Sequence, residues 1–154
     1  MRILLLCFVM LLAACTSEDA PPDDGTFAVD GTLSFVRADG SVIRTIEIEI
    51  AEDEASRQRG LMHRRQMTLN QGMLFLFPAP DNLKFWMANT PMPLDIMFVG
   101  ADSQIVNIAK RTKPLSRENV TSTGLAQYVV EVRGGFSDRF GIDETVSVRW
   151  ERKE

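Results

Sequence analysis

Asp95 is the one charged residue inside an apolar run, Leu94 to Val99, that is typical of a buried strand. An isolated buried carboxylate costs several kcal/mol unless it is paired or takes up a proton. Two roles therefore stay open. In a structural role, Asp95 accepts hydrogen bonds from backbone amides or an arginine and holds the proline-containing loop before the strand. In a functional role, it lines a cleft for a polar ligand together with Trp86, Asn89 and Thr90.

Glu131 is a second acidic residue within an apolar stretch, YVVEVR. Strand alternation places Glu131 on one face with Val129 and Arg133, and this pattern favours a polar outer face. The alternative pairs Glu131 with Asp95 across a cleft, at the separation of about 5 to 10 Å that glycoside hydrolysis requires. The chain has no nucleophile motif and a single histidine, so a binding module is favoured over a small hydrolase acting on envelope glycans.

Methionine sulfur offers a third chemistry, because several methionines lie between Met62 and Met97. Thioethers are soft ligands that select Cu(I), and by the same softness Ag(I), in a periplasmic protein. The candidate ligands are Met62, His63, Met87 and Met92. Methionine also fills irregular β cores and packs against aromatic rings, which this segment supplies. Core packing is the favoured interpretation, and no metal or other cofactor is expected.

The elements that carry these residues are mostly strands. Short apolar or alternating runs between turn residues predict about seven to nine strands, arranged as a β-sandwich or a partly closed barrel. The Asp39-Gly40 pair between the first two runs predicts a hairpin. The predicted strands are Leu33–Arg37, Val42–Ile50, Met73–Phe77, Phe85–Met87, Leu94–Val99, Ile105–Ile108, Tyr128–Val132 and Val146–Trp150.

One helix is expected among the strands, from Glu54 to about Gln66, because this segment lacks proline and β-branched residues. Asp53 is a suitable N-cap. Gly60 interrupts the segment and indicates a close backbone approach. Arg57 lies on this helix and is the candidate partner of Asp95.

The N-terminus predicts export and a lipid anchor. Residues 3–14 form an apolar run behind Arg2 that is shorter than the roughly 20 residues of a membrane span. The sequence LAAC, ending at Cys15, resembles the lipobox of bacterial lipoproteins, in which the cysteine thiol is acylated. We expect residues 1–14 to be a signal peptide and residues 15–25 to be an acylated cysteine and flexible tether. Thr16 after the cysteine indicates the outer membrane of a Gram-negative bacterium, facing the periplasm.

Composition excludes some functional classes. Seventeen basic residues against 21 acidic ones give a net charge of −4, and a chain without a basic excess is not expected to bind nucleic acid. Cys7 would leave with the signal and Cys15 would be acylated, so thiol chemistry and thiolate metal sites are excluded. Residues 26–154 have the length of a single domain, which we expect to be monomeric.

The segments ASRQRGLMHR, GMLFLF, FWMANTPMPLDIMFV and AQYVVEV, in this order, resemble the DUF192 (UPF0127) family over about Ile48 to Val148. The resemblance implies a small, mainly β, often exported domain and implies no biochemical activity. We interpret the chain as a membrane-anchored binding or accessory module for an unknown ligand. Its candidate pocket or structural polar cluster is Arg57, Trp86, Asn89, Thr90, Asp95 and Glu131.

Overall fold

The computed structural model describes residues 26–154, and within them the chain forms nine strands and two short helices. The mainly β class and the number of strands are as predicted. The predicted signal peptide, Cys15 and tether lie outside the described residues. The elements are β1 Gly31–Val36, β2 Val42–Ala51, α1 Glu54–Arg59, β3 Gln71–Asp81, β4 Lys84–Phe85, β5 Leu94–Val99, β6 Ile105–Ala109, β7 Val120–Thr121, β8 Ala126–Arg133, α2 Phe136–Phe140 and β9 Ser147–Arg152.

Seven strands form one mixed sheet in the order β6-β5-β8-β3-β2-β1-β9, and β4 pairs with β7 in a separate two-stranded sheet. Within the large sheet only β2 and β3 run parallel. Its two edges meet at an isolated bridge between Gln104 and Ser147. The sheet therefore curls toward a barrel without a continuous ladder between β6 and β9.

The central strands are buried on both faces. One cluster of apolar side chains receives residues from all seven strands of the large sheet, including Leu33, Met97 and Val148, so it fills the inside of the curl. A second cluster, with Phe75 and Ile96, lies on the opposite face. Segments 61–67 and 83–92 supply apolar side chains to this second cluster and so cover that face. Every residue of β5 is buried as a result.

The helices depart from the prediction. α1 begins as expected, with the carboxylate of Asp53 accepting a hydrogen bond from the Ser56 amide at 2.9 Å. It ends at Arg59, because Gly60 adopts φ 46° and ψ −134°, so the predicted extension to Gln66 is wrong. α2 was not predicted. In the part of the chain from residue 26 onward, no helix has the length and apolar character needed to cross a bilayer.

Gly60 is also a point of close approach, as expected, since a Cβ built there would lie 3.2 Å from Cζ of Phe75. We expect Gly60→Ala to lower the free energy of unfolding by about 1–2 kcal/mol, through backbone strain and displacement of this ring. Urea titration measures the loss. Gly141→Ala is a control for positive φ alone, because Gly141 has φ 63° and ψ 44° and no heavy atom within 4 Å of its added Cβ, and its loss should be smaller. Equal losses in the two variants would contradict a role for the Phe75 contact.

Candidate ligand-binding site

Asp95 is an internal hydrogen-bond acceptor. Its side chain is 0% exposed and lies on the same face of β5 as Met97, inside the curl of the sheet. One carboxylate oxygen accepts from the amides of Arg111 at 2.8 Å and Gly135 at 2.9 Å, and the other accepts from the Ser137 amide at 2.8 Å. Asp95 thus ties the turn after β6 to the first turn of α2. It does not hold the proline-containing loop, as the structural alternative supposed.

Arg57 does not reach Asp95, so the predicted pair between them is wrong. Nη1 of Arg57 donates to the carbonyl oxygens of Leu76, at 3.0 Å, and Glu52. The guanidinium also lies 5.3 Å from the ring centroid of Phe77. These contacts fix the arginine against β3, on the opposite side of the sheet from Asp95.

Glu131 is buried, with 4% of its surface exposed, and the predicted polar outer face is therefore wrong. In the sheet register it lies opposite Met73 on β3 and Ile96 on β5. No residue between 26 and 154 donates a hydrogen bond to its carboxyl. Burial alone raises the pKa of Glu131 from the ordinary 4.5 to about 8, because the ionised form is poorly solvated there.

Asp95 and Glu131 do not form a carboxylate pair. The register places Asp95 opposite Val132 and Ile96 opposite Glu131. Because neighbouring residues of a strand point to opposite faces, the two carboxyl groups lie on opposite sides of the sheet.

Glu131 lines a pocket of about 360 Å³ between α1 and β4, beside the second apolar cluster. Arg57, Trp86 and Thr90, which were predicted to share a site, line the same pocket. Its remaining lining residues are Glu54, Gln58, Arg59, Gly60, Leu61, Met62, Phe75, Phe77, Lys84 and Phe85.

Aromatic rings make up much of the pocket wall. The ring of Phe85 packs edge-on against Phe75 and Phe77, with centroid distances of 5.0 and 6.3 Å. Phe75 and the second cluster behind it are buried, so this wall is held by core packing. Trp86 continues the wall outward and is 52% exposed, which places it at the mouth.

Asn89 lies beside the pocket and does not line it. Its backbone is left-handed, with φ 63°, and its carbonyl accepts the amide of His63, which is left-handed as well at φ 65°. Nδ2 of Asn89 lies 3.9 Å from the sulfur of Met62. These contacts join the loop before β5 to the turn after α1.

The candidate thioether ligands do not all share one environment. Met87 and Met92 are buried in the second apolar cluster, as core packing predicts, whereas His63 is exposed. Met62 lines the pocket. From Thr26 to the C-terminus, no group of three or more His, Cys, Asp or Glu side chains is placed to hold a metal ion.

Sequence reasoning missed Lys84, Phe85 and Phe75 as pocket residues. Lys84 and Phe85 form β4, whose partner β7 was not predicted, so nothing in the sequence indicated that this segment turns toward α1. The signal for Phe75 was indirect, since Gly60 predicted a close contact without naming the partner.

Comparison with known proteins gives a family and two similar structures. Residues 35–150 match the DUF192 family, described as "Uncharacterized ACR". The structure is similar to that of a candidate transcription regulator from Sinorhizobium meliloti 1021, with a TM-score of 0.75, 31% identity, and coverage of 81% of this chain and 95% of that one. It is also similar to a protein of unknown function from Novosphingobium aromaticivorans DSM 12444, with a TM-score of 0.73, 34% identity, and coverage of 77% and 84%. No curated protein matches the chain.

Proposed function

The chain belongs to the DUF192 family, and we propose that it is a binding module of the bacterial envelope that takes a small ligand in the Glu131 pocket. The observation that carries this proposal is the Glu131 carboxyl, which is buried at the inner end of a pocket and has no hydrogen-bond donor among the described residues. A carboxyl group in this state destabilises a fold, and such groups concentrate at functional sites.

The shape and lining of the pocket support the same proposal. Its volume of about 360 Å³ lies in the range of small-molecule sites, which combine an apolar wall with a few polar groups. Here Phe75, Phe77 and Phe85 supply the wall, and Arg57 and Glu131 supply fixed polar groups.

Binding is favoured over hydrolysis because the hydrolytic alternative relied on a pair formed by Asp95 and Glu131. The fold separates these residues onto opposite faces of the sheet. Glu54, the other acidic residue that lines the pocket, is exposed on α1. The description of the Sinorhizobium protein as a regulator is not extended to this chain, whose acidic residues outnumber its basic ones by 21 to 17.

Ligand binding can be detected through Trp86, because Trp86 and Trp150 are the two tryptophans of the chain. In a Trp150→Phe protein, we expect a saturable change in Trp86 fluorescence when saccharides, peptidoglycan fragments, amino acids and small organic anions are screened. Adding Trp86→Ala should weaken binding of any responding compound about tenfold in calorimetry, since buried aromatic contacts dominate small interfaces.

Leu125→Ala is the matched control for Trp86→Ala. Leu125 is 60% exposed and is not among the residues that line the pocket. Its truncation should leave the affinity unchanged. Failure of every class of compound to change Trp86 fluorescence or to produce heat of binding would refute the proposed function.

We also propose that the module is held at the outer membrane through an acylated Cys15. The support is the order of residues from Leu12 to Cys15 behind an apolar run, followed by the polar segment TSEDAPPDDG. Cys15→Ser should release the protein from membrane fractions or leave an uncut precursor, as judged by fractionation and mass. Cys7→Ser is the control and should change nothing. Full membrane retention of the Cys15→Ser protein would refute the anchor.

A further inference from the structure

The inner end of the pocket is suited to a cation. The Glu131 carboxyl lies there beside Met73 and Ile96, which have no group that can neutralise a negative charge. Four aromatic residues line the pocket, and aromatic faces attract cations, most strongly where water is excluded. The guanidinium of Arg57 already lies over one of these rings, that of Phe77. An ammonium group could contact both the carboxylate and the aromatic wall.

The mouth of the pocket, in contrast, favours a negatively charged group. Lys84 and Arg59 line it with exposed side chains, and Arg57 is fixed in the wall by its two backbone carbonyl contacts. Glu54 is the acidic residue that faces these three cations. A ligand that carried only a positive charge would be repelled at this entrance, whereas an anionic group would be attracted.

We propose that the pocket selects a short molecule with an ammonium group at one end, on Glu131, and a carboxylate or phosphate at the other, beside Lys84 and Arg59. This inference rests on the proposed binding function and names the class of its ligand. A pocket of about 360 Å³ has room for a molecule of the size of an amino acid or of phosphoethanolamine. The same chemistry is found free in solution and in the headgroup of phosphatidylethanolamine.

Binding of this ligand must release a proton. Because burial raises the pKa of Glu131 to about 8, the empty site holds a proton at pH 7. The ammonium nitrogen pairs with the ionised carboxylate, so for each ligand bound about one proton passes from the carboxyl to the buffer. Affinity should therefore rise about tenfold per pH unit below 8 and level off above it. A saccharide or a simple anion that accepts a hydrogen bond from the protonated carboxyl would show the opposite dependence.

The pH dependence of binding is best measured in a protein that has no histidine near the pocket. The charged groups that face Glu131 across the pocket are Glu54, Arg57 and Arg59 from the α1 segment and Lys84 from β4. His63 lies just outside the pocket and is the single histidine of the chain. His63→Asn removes it, and asparagine tolerates the left-handed φ of 65° at this position.

Isothermal titration of the His63→Asn protein with O-phosphoethanolamine and β-alanine, in buffers of different ionisation enthalpy, tests the inference. We expect each probe to bind at least tenfold more tightly than ethylamine, ethyl phosphate or propionate, with nearly one proton released at pH 7. Affinity for β-alanine, which stays zwitterionic over this range, should rise about tenfold from pH 6 to pH 7. Adding Glu131→Gln should abolish the proton release and the preference for ammonium, while Glu151→Gln, at an exposed residue of β9, should change neither.

Vesicles distinguish the two sources of the ligand. Binding to phosphatidylethanolamine vesicles and not to phosphatidylglycerol vesicles, with loss of binding in Glu131→Gln, would identify the lipid headgroup as the ligand. Binding of the soluble probes alone would identify a free ligand.

Two results would overturn the inference: affinity that falls with rising pH, or binding of the probes that survives Glu131→Gln. If a saccharide binds the pocket and the amphoteric probes do not, the inference fails and the proposed function stands. If nothing binds, both fail.

Discussion

Asp95→Asn is expected to lower the free energy of unfolding by about 2–4 kcal/mol. The carboxylate accepts three backbone N–H groups, two on one oxygen and one on the other. Asparagine keeps one acceptor oxygen but turns an NH₂ group toward a donor at the second position. Hydrogen bonds to a charged group contribute about 1.5–3 kcal/mol each, and a buried donor without a partner costs about 1–3 kcal/mol. Urea titration at neutral pH measures the loss.

Asp138→Asn is the matched control, because Asp138 is a partly exposed carboxylate that pairs with Lys110 and Arg111 at the surface. Exposed ion pairs contribute little, so this variant should be nearly as stable as the parent protein. Adding Arg57→Ala to Asp95→Asn should give additive losses, since the two side chains share no contact and lie on opposite sides of the sheet. A coupling energy well above about 0.5 kcal/mol would contradict this geometry.

The strands could be predicted from the sequence because their signals are local. In the segment Ile46 to Ile50, isoleucines alternate with glutamates, and the structure has β2 there. The run Leu94 to Val99 has the predicted bounds. Its alternation also separates Asp95 from Ile96 correctly onto opposite faces. The predicted strand Phe85–Met87 overlaps β4 by one residue, whereas β7 was not predicted, because two residues are too few for any periodicity to be visible.

The two helices show the limit of what local sequence signals can predict. α1 stops where Gly60 leaves the helical region, although the sequence beyond it, LMHRRQ, favours a helix. α2 has five residues after two glycines, and its own N-cap, Gly135, supplies no side-chain hydrogen bond. The carboxylate that accepts its first amides belongs to Asp95, 40 positions away along the chain from Gly135. No local pattern can show such a partner.

The candidate site was predicted in part. The apolar context of Asp95 and Glu131 singled out both residues correctly as unusual, but alternation gives only the face of a strand and not what covers it. Segments 61–67 and 83–92 cover the face that carries Glu131, and this coverage depends on long-range packing. The face that was expected to be polar surface is therefore covered, and Glu131 lies in a pocket beneath the covering segments.

Glu131→Gln is expected to make the protein more stable by about 3 kcal/mol at pH 7. The folded-state pKa of Glu131, about 8, lies above the ordinary value of 4.5. Below pH 4.5 the carboxyl is protonated in both states and costs nothing. Between pH 4.5 and 8 the unfolded chain ionises and the folded chain does not, so stability falls by about 1.4 kcal/mol per pH unit. Glutamine stays neutral and does not incur this loss. Urea titrations at pH 4.5 and pH 7 measure the difference.

The Glu131→Gln protein and its parent should be about equally stable at pH 4.5. Their free energies of unfolding should diverge as the pH rises, because every other titrating group is common to both. Glu151→Gln serves as the control, since an exposed glutamate ionises in both states and its replacement should leave the pH profile unchanged. A Glu131→Gln protein less stable than its parent at pH 7 would mean that the carboxylate has a partner in the fold. Greater stability combined with loss of ligand binding would instead show that this chain keeps a destabilising group for the sake of its pocket, as functional sites commonly do.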